Sequence, residues 1–202
     1  MVRRDRAGRR GYEVHAFDPT ERFREQHARH RSPGVSFHYL GLGAKGGAAE
    51  RWAGRQGWNT LGGAVLPLDE LQERLGHVRR PIQLLKIDCE GCEWEAFVDL
   101  ARRRPRVAES VCTLILELHV SANLQMNTSA DLGRMAAFWE LYVLRLGFRF
   151  WYAHANPGGD RDRSVPPALV ALGLDPSTAA YEIGLRREAP HCETSGGSPP
   201  SR

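Results

Sequence analysis

An almost wholly apolar run, IQLLKID at residues 82–88, is followed closely by a helical pattern at about residues 93–103. A strand that is apolar along its length is typical of a sheet covered on both faces. Gly91 lets the chain bend sharply between the two elements, because glycine adopts backbone angles that other residues avoid. The segment therefore predicts a strand–turn–helix unit with polar residues in its turn.

Similar short apolar runs alternate with helical patterns along the rest of the chain. Further strands are predicted at 12–17, 35–42, 111–119, 148–155 and 180–187. Further helices are predicted at about 19–31, from Pro67 to Gly76, and from Leu132 to Gly147, with residues 43–64 as a loop. Alternating strands and helices imply a parallel sheet, and the last two strands suggest an antiparallel edge. The predicted fold class is α/β and Rossmann-like, with a mostly parallel sheet.

The two ends of the chain carry no apolar periodicity. We predict a disordered basic leader at 1–11, one domain at 12–188 and a disordered tail at 189–202. No apolar run reaches the roughly 20 residues of a membrane helix, and no apolar segment follows the basic start as in a secretory signal. The sequence therefore predicts a soluble protein without a membrane segment, cytoplasmic by default.

The net charge of +4 comes with an unusual choice of basic residue, since 26 of the 28 are arginine. Such a skew more often reflects biased coding composition than selection for phosphate binding. A nucleic-acid footprint needs basic residues clustered on one folded face, whereas here 24 acidic residues dilute them. We expect no nucleic-acid partner.

Ligands of such α/β folds bind at the carboxyl ends of the strands. Asp18 ends the first predicted strand, where a carboxylate can accept hydrogen bonds from the hydroxyls of a ribose. An equally good alternative is that Asp18 caps the next helix, with Pro19 at its first position, because DPTE is a favourable helix start.

Three carboxylates, those of Asp88, Glu90 and Glu93, fall within six residues after the strand at 82–88. Like charges repel at short range, so these side chains either bind something or stay solvated. The second alternative is plausible because acidic residues are favoured in the first turn of a helix.

The pattern LKIDxEGxEWE at 85–95, preceded by FDP and followed by LELH, resembles the FkbM-type methyltransferase domains, in particular the group around methyltransferase-like protein 24. The motifs VHAFDP, HYLGLG, LLKIDCEGCEWE and ILELH occur in the family's order over about residues 12–120. The resemblance implies a class I methyltransferase sandwich that binds S-adenosylmethionine. It also implies O-methylation of a small-molecule or glycan hydroxyl.

The resemblance assigns cofactor contacts to three places in the chain, namely Asp18 with Pro19, the loop Gly41, Leu42 and Gly43, and Asp88. Asp18 would bind the ribose, and the small residues of the loop would let backbone approach the adenine. Asp88 would lie where the methyl group meets its acceptor.

O-methylation needs a base, because a hydroxyl is a poor nucleophile until its proton leaves. His119 is the favoured base, with Asp88 and Glu90 as carboxylate alternatives. A histidine that merely caps a strand end is the structural alternative for His119. These three side chains could instead hold a divalent metal, although the favoured interpretation contains none.

The cysteines allow a competing hypothesis. Cys89 and Cys92 form a CxxC pair at a helix start, as in dithiol redox proteins, although Glu90 and Glu93 would disfavour a thiolate there. Four cysteines are too few and too scattered for a disulfide scaffold. We therefore expect Cys89 and Cys112 to pack as apolar side chains.

Residues 1–11 contain neither an apolar run nor a glycine-rich turn. In the family's usual order the first strand lies between the strands that end at Asp18 and Asp88. We expect this strand and its glycine-rich turn to be missing, as in a truncated form of a longer protein. The alternative is a non-catalytic binding module that has lost the cofactor.

Overall fold

The computed structural model describes residues 12–45, 61–89, 91–119, 129–157, 170–171, 173 and 178–192. Within these ranges, no helix combines the length and the apolar character needed to cross a membrane. The chain divides into two compact units, Met1–Leu71 and Gln72–Arg202. The predicted domain limits of 12 and 188 stay a prediction.

The first unit contains two small parallel sheets. In one, β1 (Val14–Phe17) pairs with β2 (Val35–His38), and the chain between them forms a 3-10 turn, Glu21–Phe23, and helix α1 (Arg24–Arg29). In the other, β3 (Leu40–Leu42) pairs with β4 (Ala64–Leu66). Helix α2 (Leu68–Arg74) follows Pro67, as predicted.

The predicted strand at 35–42 is in fact two strands, and β4, which begins at the last residue of the predicted loop at 43–64, was not predicted. The ladder breaks at Tyr39, so that β2 pairs with β1 while β3 pairs with β4. Tyr39 donates a hydrogen bond to Glu21. The Arg24 guanidinium lies 5.1 Å from the centre of the Tyr39 ring. An unbroken apolar pattern does not reveal that its two halves pair with different strands.

The second unit contains one four-stranded sheet in the order β5-β6-β8-β7. Its strands are β5 (Leu85–Ile87), β6 (Thr113–His119), β7 (Arg149–Pro157) and β8 (Thr178–Arg186). Strands β5 and β6 are parallel, whereas β8 is antiparallel to both β6 and β7. The predicted antiparallel edge is thus present, and the mixture of elements confirms an α/β fold.

The helices of this unit are α3 (Glu93–Arg103), α4 (Pro105–Glu109) and α5 (Ser129–Trp139), which continues as a π-helical turn, Glu140–Arg145. Gly91 bends the chain before α3 with φ of +105°, as predicted. Helices α3 and α5 pack through a cluster of buried aromatic rings, Trp94, Phe97, Phe138 and Tyr142. The Tyr142 hydroxyl donates to the Phe97 carbonyl at 3.2 Å, and burial raises the Tyr142 pKa well above its usual range.

All four cysteines are in disulfides, Cys89–Cys92 and Cys112–Cys192. Cys112 is buried in the core as predicted, but both Cys89 and Cys112 are disulfide-bonded, which the prediction of simple apolar packing did not include. The partner of Cys112 is 80 residues away in the sequence, so its position at the start of β6 is a property of the tertiary structure.

The structure describes residues 189–192 of the tail that was predicted to be disordered from residue 189. Pro190–Cys192 form a 3-10 turn, and the Cys112–Cys192 disulfide fastens this turn to the start of β6. His191 Nε2 lies 3.0 Å from the Glu109 carbonyl oxygen. The predicted leader at 1–11 and residues 193–202 lie outside the described ranges. The expectation that the first strand is missing therefore stays a prediction.

Candidate active site

Three polar side chains meet at the carboxyl ends of two parallel strands. Asp88 directly follows β5, and Glu117 and His119 belong to the last three residues of β6. Residues two apart in a strand share a face, and the ends of adjacent parallel strands lie side by side. One side-chain oxygen of each acid and one ring nitrogen of His119 all lie within 4.8 Å of one another.

Glu93, the first residue of α3, forms a hydrogen bond with the Nδ1 side of the His119 ring. The two side chains are buried, and His119 Nδ1 lies 2.7 Å from Glu93 Oε1. An ionised carboxylate only accepts hydrogen bonds, so this contact assigns the ring hydrogen to Nδ1. In the neutral ring, Nε2 then carries the lone pair, and it lies 3.8 Å from Asp88 Oδ1.

The burial of Glu93 is costly. Its side chain is 0% exposed, and Oε2 has no hydrogen-bond partner within the described part of the chain. A buried polar atom without a partner costs on the order of 1–3 kcal/mol. Such a cost is typical of a functional position, where geometry is maintained at the expense of stability.

The neighbouring groups orient the remaining parts of the cluster. Trp94 Nε1 donates to the carbonyl oxygen of His119 at 3.0 Å, which ties the end of β6 to the first turn of α3. Asn156 Nδ2, near the end of β7, donates to Glu117 Oε1 at 2.9 Å. The Asp88 side chain is 47% exposed, so the cluster is open to solvent on the Asp88 side.

The structure thus brings together two of the predicted catalytic residues, Asp88 and His119, while Glu90 lies outside the described residues. His119 is more than a cap on a strand end, because its ring is buried against Glu93. Sequence reasoning missed Glu117 and the pairing of Glu93 with His119. The two-residue spacing of Glu117 and His119 in a predicted strand was a usable signal for Glu117.

The predicted cofactor residues Asp18, Pro19 and Gly41 to Gly43 belong to the first unit. Asp18 Oδ1 accepts a hydrogen bond from the Thr20 backbone NH at 2.9 Å, and Oδ2 lies 3.6 Å from His27 Nε2. Asp18 therefore forms a local turn with Thr20, but the capping alternative is wrong, because the helical turn begins at Glu21 with Thr20 as its N-cap. A carboxylate has about four acceptor positions, so this turn leaves Asp18 able to accept further hydrogen bonds.

The loop glycines have a packing role within the same unit. A Cβ atom on Gly41 would lie 2.7 Å from Pro19 Cγ, and one on Gly43 would lie 2.6 Å from Val65 Cγ1. Leu42 ends β3 and pairs with Leu66 of β4. Their predicted role in cofactor binding stays a prediction.

The Cys89–Cys92 disulfide spans the turn between Asp88 and Glu93. It joins the end of β5 to the residue before α3, so it links the segments that carry two neighbours of His119. The CxxC pair is therefore present in its oxidised form beside the candidate site.

Residues 4–141 match a family model described as a methyltransferase domain. The match spans more than two thirds of the chain and includes Asp88, Glu93, Glu117 and His119. No curated protein and no solved structure matches the chain. The resemblance inferred from the motifs is confirmed at the level of a methyltransferase domain. The chain therefore belongs to the methyltransferase domain family.

Proposed function

We propose that the chain is an S-adenosylmethionine-dependent methyltransferase of the FkbM type, related to methyltransferase-like protein 24. Its acceptor is a hydroxyl of a small molecule or glycan. One observation carries the proposal, namely the buried Glu93–His119 pair beside Asp88 in a chain that matches a methyltransferase domain. When bound, S-adenosylmethionine supplies an electrophilic methyl group.

The residues proposed to hold the cofactor fit that task unequally. The Asp18 side chain is 28% exposed and retains acceptor capacity for ribose hydroxyls beyond its contact with Thr20. Pro19 and Gly41 to Gly43 offer backbone groups, although the space beside Gly41 is filled by Pro19. Asp18 therefore gives the stronger support for cofactor binding in the first unit.

His119 is suited to accept the proton of the acceptor hydroxyl. Glu93 holds the ring hydrogen on Nδ1, so Nε2 can take a proton on the side that faces Asp88. The imidazolium that forms would be stabilised by the negative charge of Glu93, as in other carboxylate–histidine pairs. A positioned base of this kind contributes about 10²–10⁴-fold to a rate.

Asp88 is proposed to orient the acceptor. Its carboxylate is half exposed and lies next to Nε2, so it can accept a hydrogen bond from a second hydroxyl of the acceptor. Neighbouring hydroxyls are a feature of glycans and polyols. The pairing of an orienting carboxylate with a base thus favours an acceptor with more than one hydroxyl.

The first experiment is a calorimetric titration of S-adenosylmethionine into the purified 202-residue chain. Production of S-adenosylhomocysteine is then measured with mixtures of sugars and polyols as acceptors. We expect cofactor binding, and turnover that requires an acceptor. Absence of both from a chain that is folded by near-UV circular dichroism would contradict the proposal.

A further inference from the structure

We propose that Asp88, Glu117 and His119 form a binding site for a divalent first-row transition-metal cation. One oxygen from each acid and one imidazole nitrogen lie within 4.8 Å of one another. Two ligands about 2.1 Å from one ion can be at most about 4.2 Å apart. The 3.8 Å between His119 Nε2 and Asp88 Oδ1 is within this limit.

The arrangement behind these side chains distinguishes the cluster from solvated surface acids. Histidines that bind metals usually donate their other ring NH to a carboxylate or carbonyl group, which orients the ring. Glu93 accepts from His119 Nδ1 in this way, at 2.7 Å and fully buried. Asn156 holds Glu117 Oε1 at 2.9 Å. Two of the three ligands are thus oriented by a second residue.

The charge of the cluster also favours a cation. The carboxylates of Asp88, Glu93 and Glu117 surround a single imidazole, and like charges at such distances repel. The ammonium of Lys86, on β5, lies 3.7 Å from Oε1 of Glu182, on β8. A divalent cation would offset this negative charge directly at the ligand atoms.

The ligand set indicates which ions would bind. Imidazole suits Zn²⁺ and Fe²⁺, whereas carboxylates suit Mn²⁺ and Mg²⁺, so one imidazole with two carboxylates favours Mn²⁺ or Zn²⁺. Three protein ligands leave coordination positions open to water. Binding requires the lone pair of His119 Nε2, which a neutral imidazole provides.

Cation binding and the proposed proton transfer exclude each other. A cation on Nε2 uses the lone pair that would accept the proton, so a bound ion should inhibit methyl transfer. This effect on activity rests on the proposed function, whereas the binding site itself does not. Binding is therefore measured first, without S-adenosylmethionine.

The test uses the chelator-treated 202-residue chain at neutral pH. Binding of Mn²⁺ is followed by electron paramagnetic resonance and binding of Zn²⁺ by calorimetry. No reductant is added, so that the Cys112–Cys192 disulfide stays closed. We expect one cation per chain, with affinity reduced at least about tenfold by Asp88→Asn or Glu117→Gln. Loss of the outer partner in Glu93→Gln should cost about 10–100-fold.

Glu95→Gln is the matched control for Glu93→Gln. It removes the same charge from the same helix, two residues after Glu93. It should bind the cation as the wild type does. The site is refuted if the folded wild type binds neither ion at about 1 mM, or if Asp88→Asn and Glu117→Gln retain wild-type affinity. A cation that binds at this site but does not inhibit supports the site and argues against His119 as proton acceptor.

Discussion

Glu93 Oε1 lies 2.7 Å from His119 Nδ1, and both side chains are buried at the junction of α3 and β6. The two residues are 26 positions apart in the sequence. Their contact determines which ring nitrogen of His119 faces Asp88, and so what the exposed edge of the site can bind.

Replacing His119 with glutamine should lower methyl transfer by about 10²–10⁴-fold, because the variant lacks a base on the Asp88 side. S-adenosylmethionine should still bind, since no cofactor contact is assigned to His119. Initial rates of S-adenosylhomocysteine formation and calorimetry measure the two effects. His154→Gln, on the exposed part of β7, is the control and should keep wild-type rates. A His119→Gln enzyme of wild-type activity would exclude the proposed role.

Glu93→Ala should destabilise the protein by about 1–3 kcal/mol, because it leaves the buried Nδ1–H of His119 without an acceptor. Glu95→Ala on the same helix should change the free energy of unfolding by less than about 0.5 kcal/mol. Urea unfolding followed by tryptophan fluorescence measures both. Equal stabilities of the two variants would mean that the Glu93–His119 contact does not form in solution.

The two disulfides should differ in their contribution to stability. Cys112–Cys192 closes a loop of about 80 residues and Cys89–Cys92 one of about three. The entropy lost by the unfolded chain grows with loop length, so opening the longer loop should cost about 4 kcal/mol. The free energies of unfolding of Cys192→Ser and Cys92→Ser test this order. A larger loss in Cys92→Ser would reverse it and make the short disulfide the main stabilising link.

Two glycine substitutions should have opposite effects. Gly41→Ala would bring a Cβ to 2.7 Å from Pro19 Cγ and should cost about 1–3 kcal/mol. Gly133 lies in α5, and among the described residues no atom outside its own helix backbone lies within 4 Å of an added Cβ, so Gly133→Ala should stabilise by about 0.5–1 kcal/mol. Thermal unfolding of both variants measures the difference. A stabilised Gly41→Ala would show that the Pro19 ring moves away freely.

The first unit should lose stability in mild acid through His38. Burial, and then the neighbouring His15, lower the pKa of His38 below its usual value of 6.5. The folded state therefore favours the neutral ring, and this stabilisation is lost as the pH falls from about 6.5 through the folded pKa. The difference in unfolding free energy between about pH 7 and pH 5 should be smaller in His38→Gln than in the wild type. An unchanged difference would assign the acid sensitivity to other groups.

Local patterns were sufficient for most of the elements. Helix α3 was predicted at about 93–103 and extends over Glu93–Arg103, because its apolar spacing and the turn at Gly91 act within a few residues. The same holds for Gly147, which ends the helical segment with φ of +74°. The strand ends that carry Asp88 and His119 were likewise predicted from apolar runs.

Relationships between distant segments were not contained in those patterns. The division of 35–42 between two sheets and the Cys112–Cys192 disulfide depend on which segments become neighbours after folding.

By itself, therefore, the sequence determined the α/β class, the methyltransferase resemblance and the positions of Asp88 and His119 at strand ends. Only the tertiary structure decided that Glu93 supports His119 and that Glu117 joins Asp88. The physical reason is the distance along the sequence over which each kind of interaction acts. Backbone preferences and apolar periodicity act over a few residues, whereas a buried hydrogen bond forms only after packing has brought distant side chains to within about 3 Å of each other.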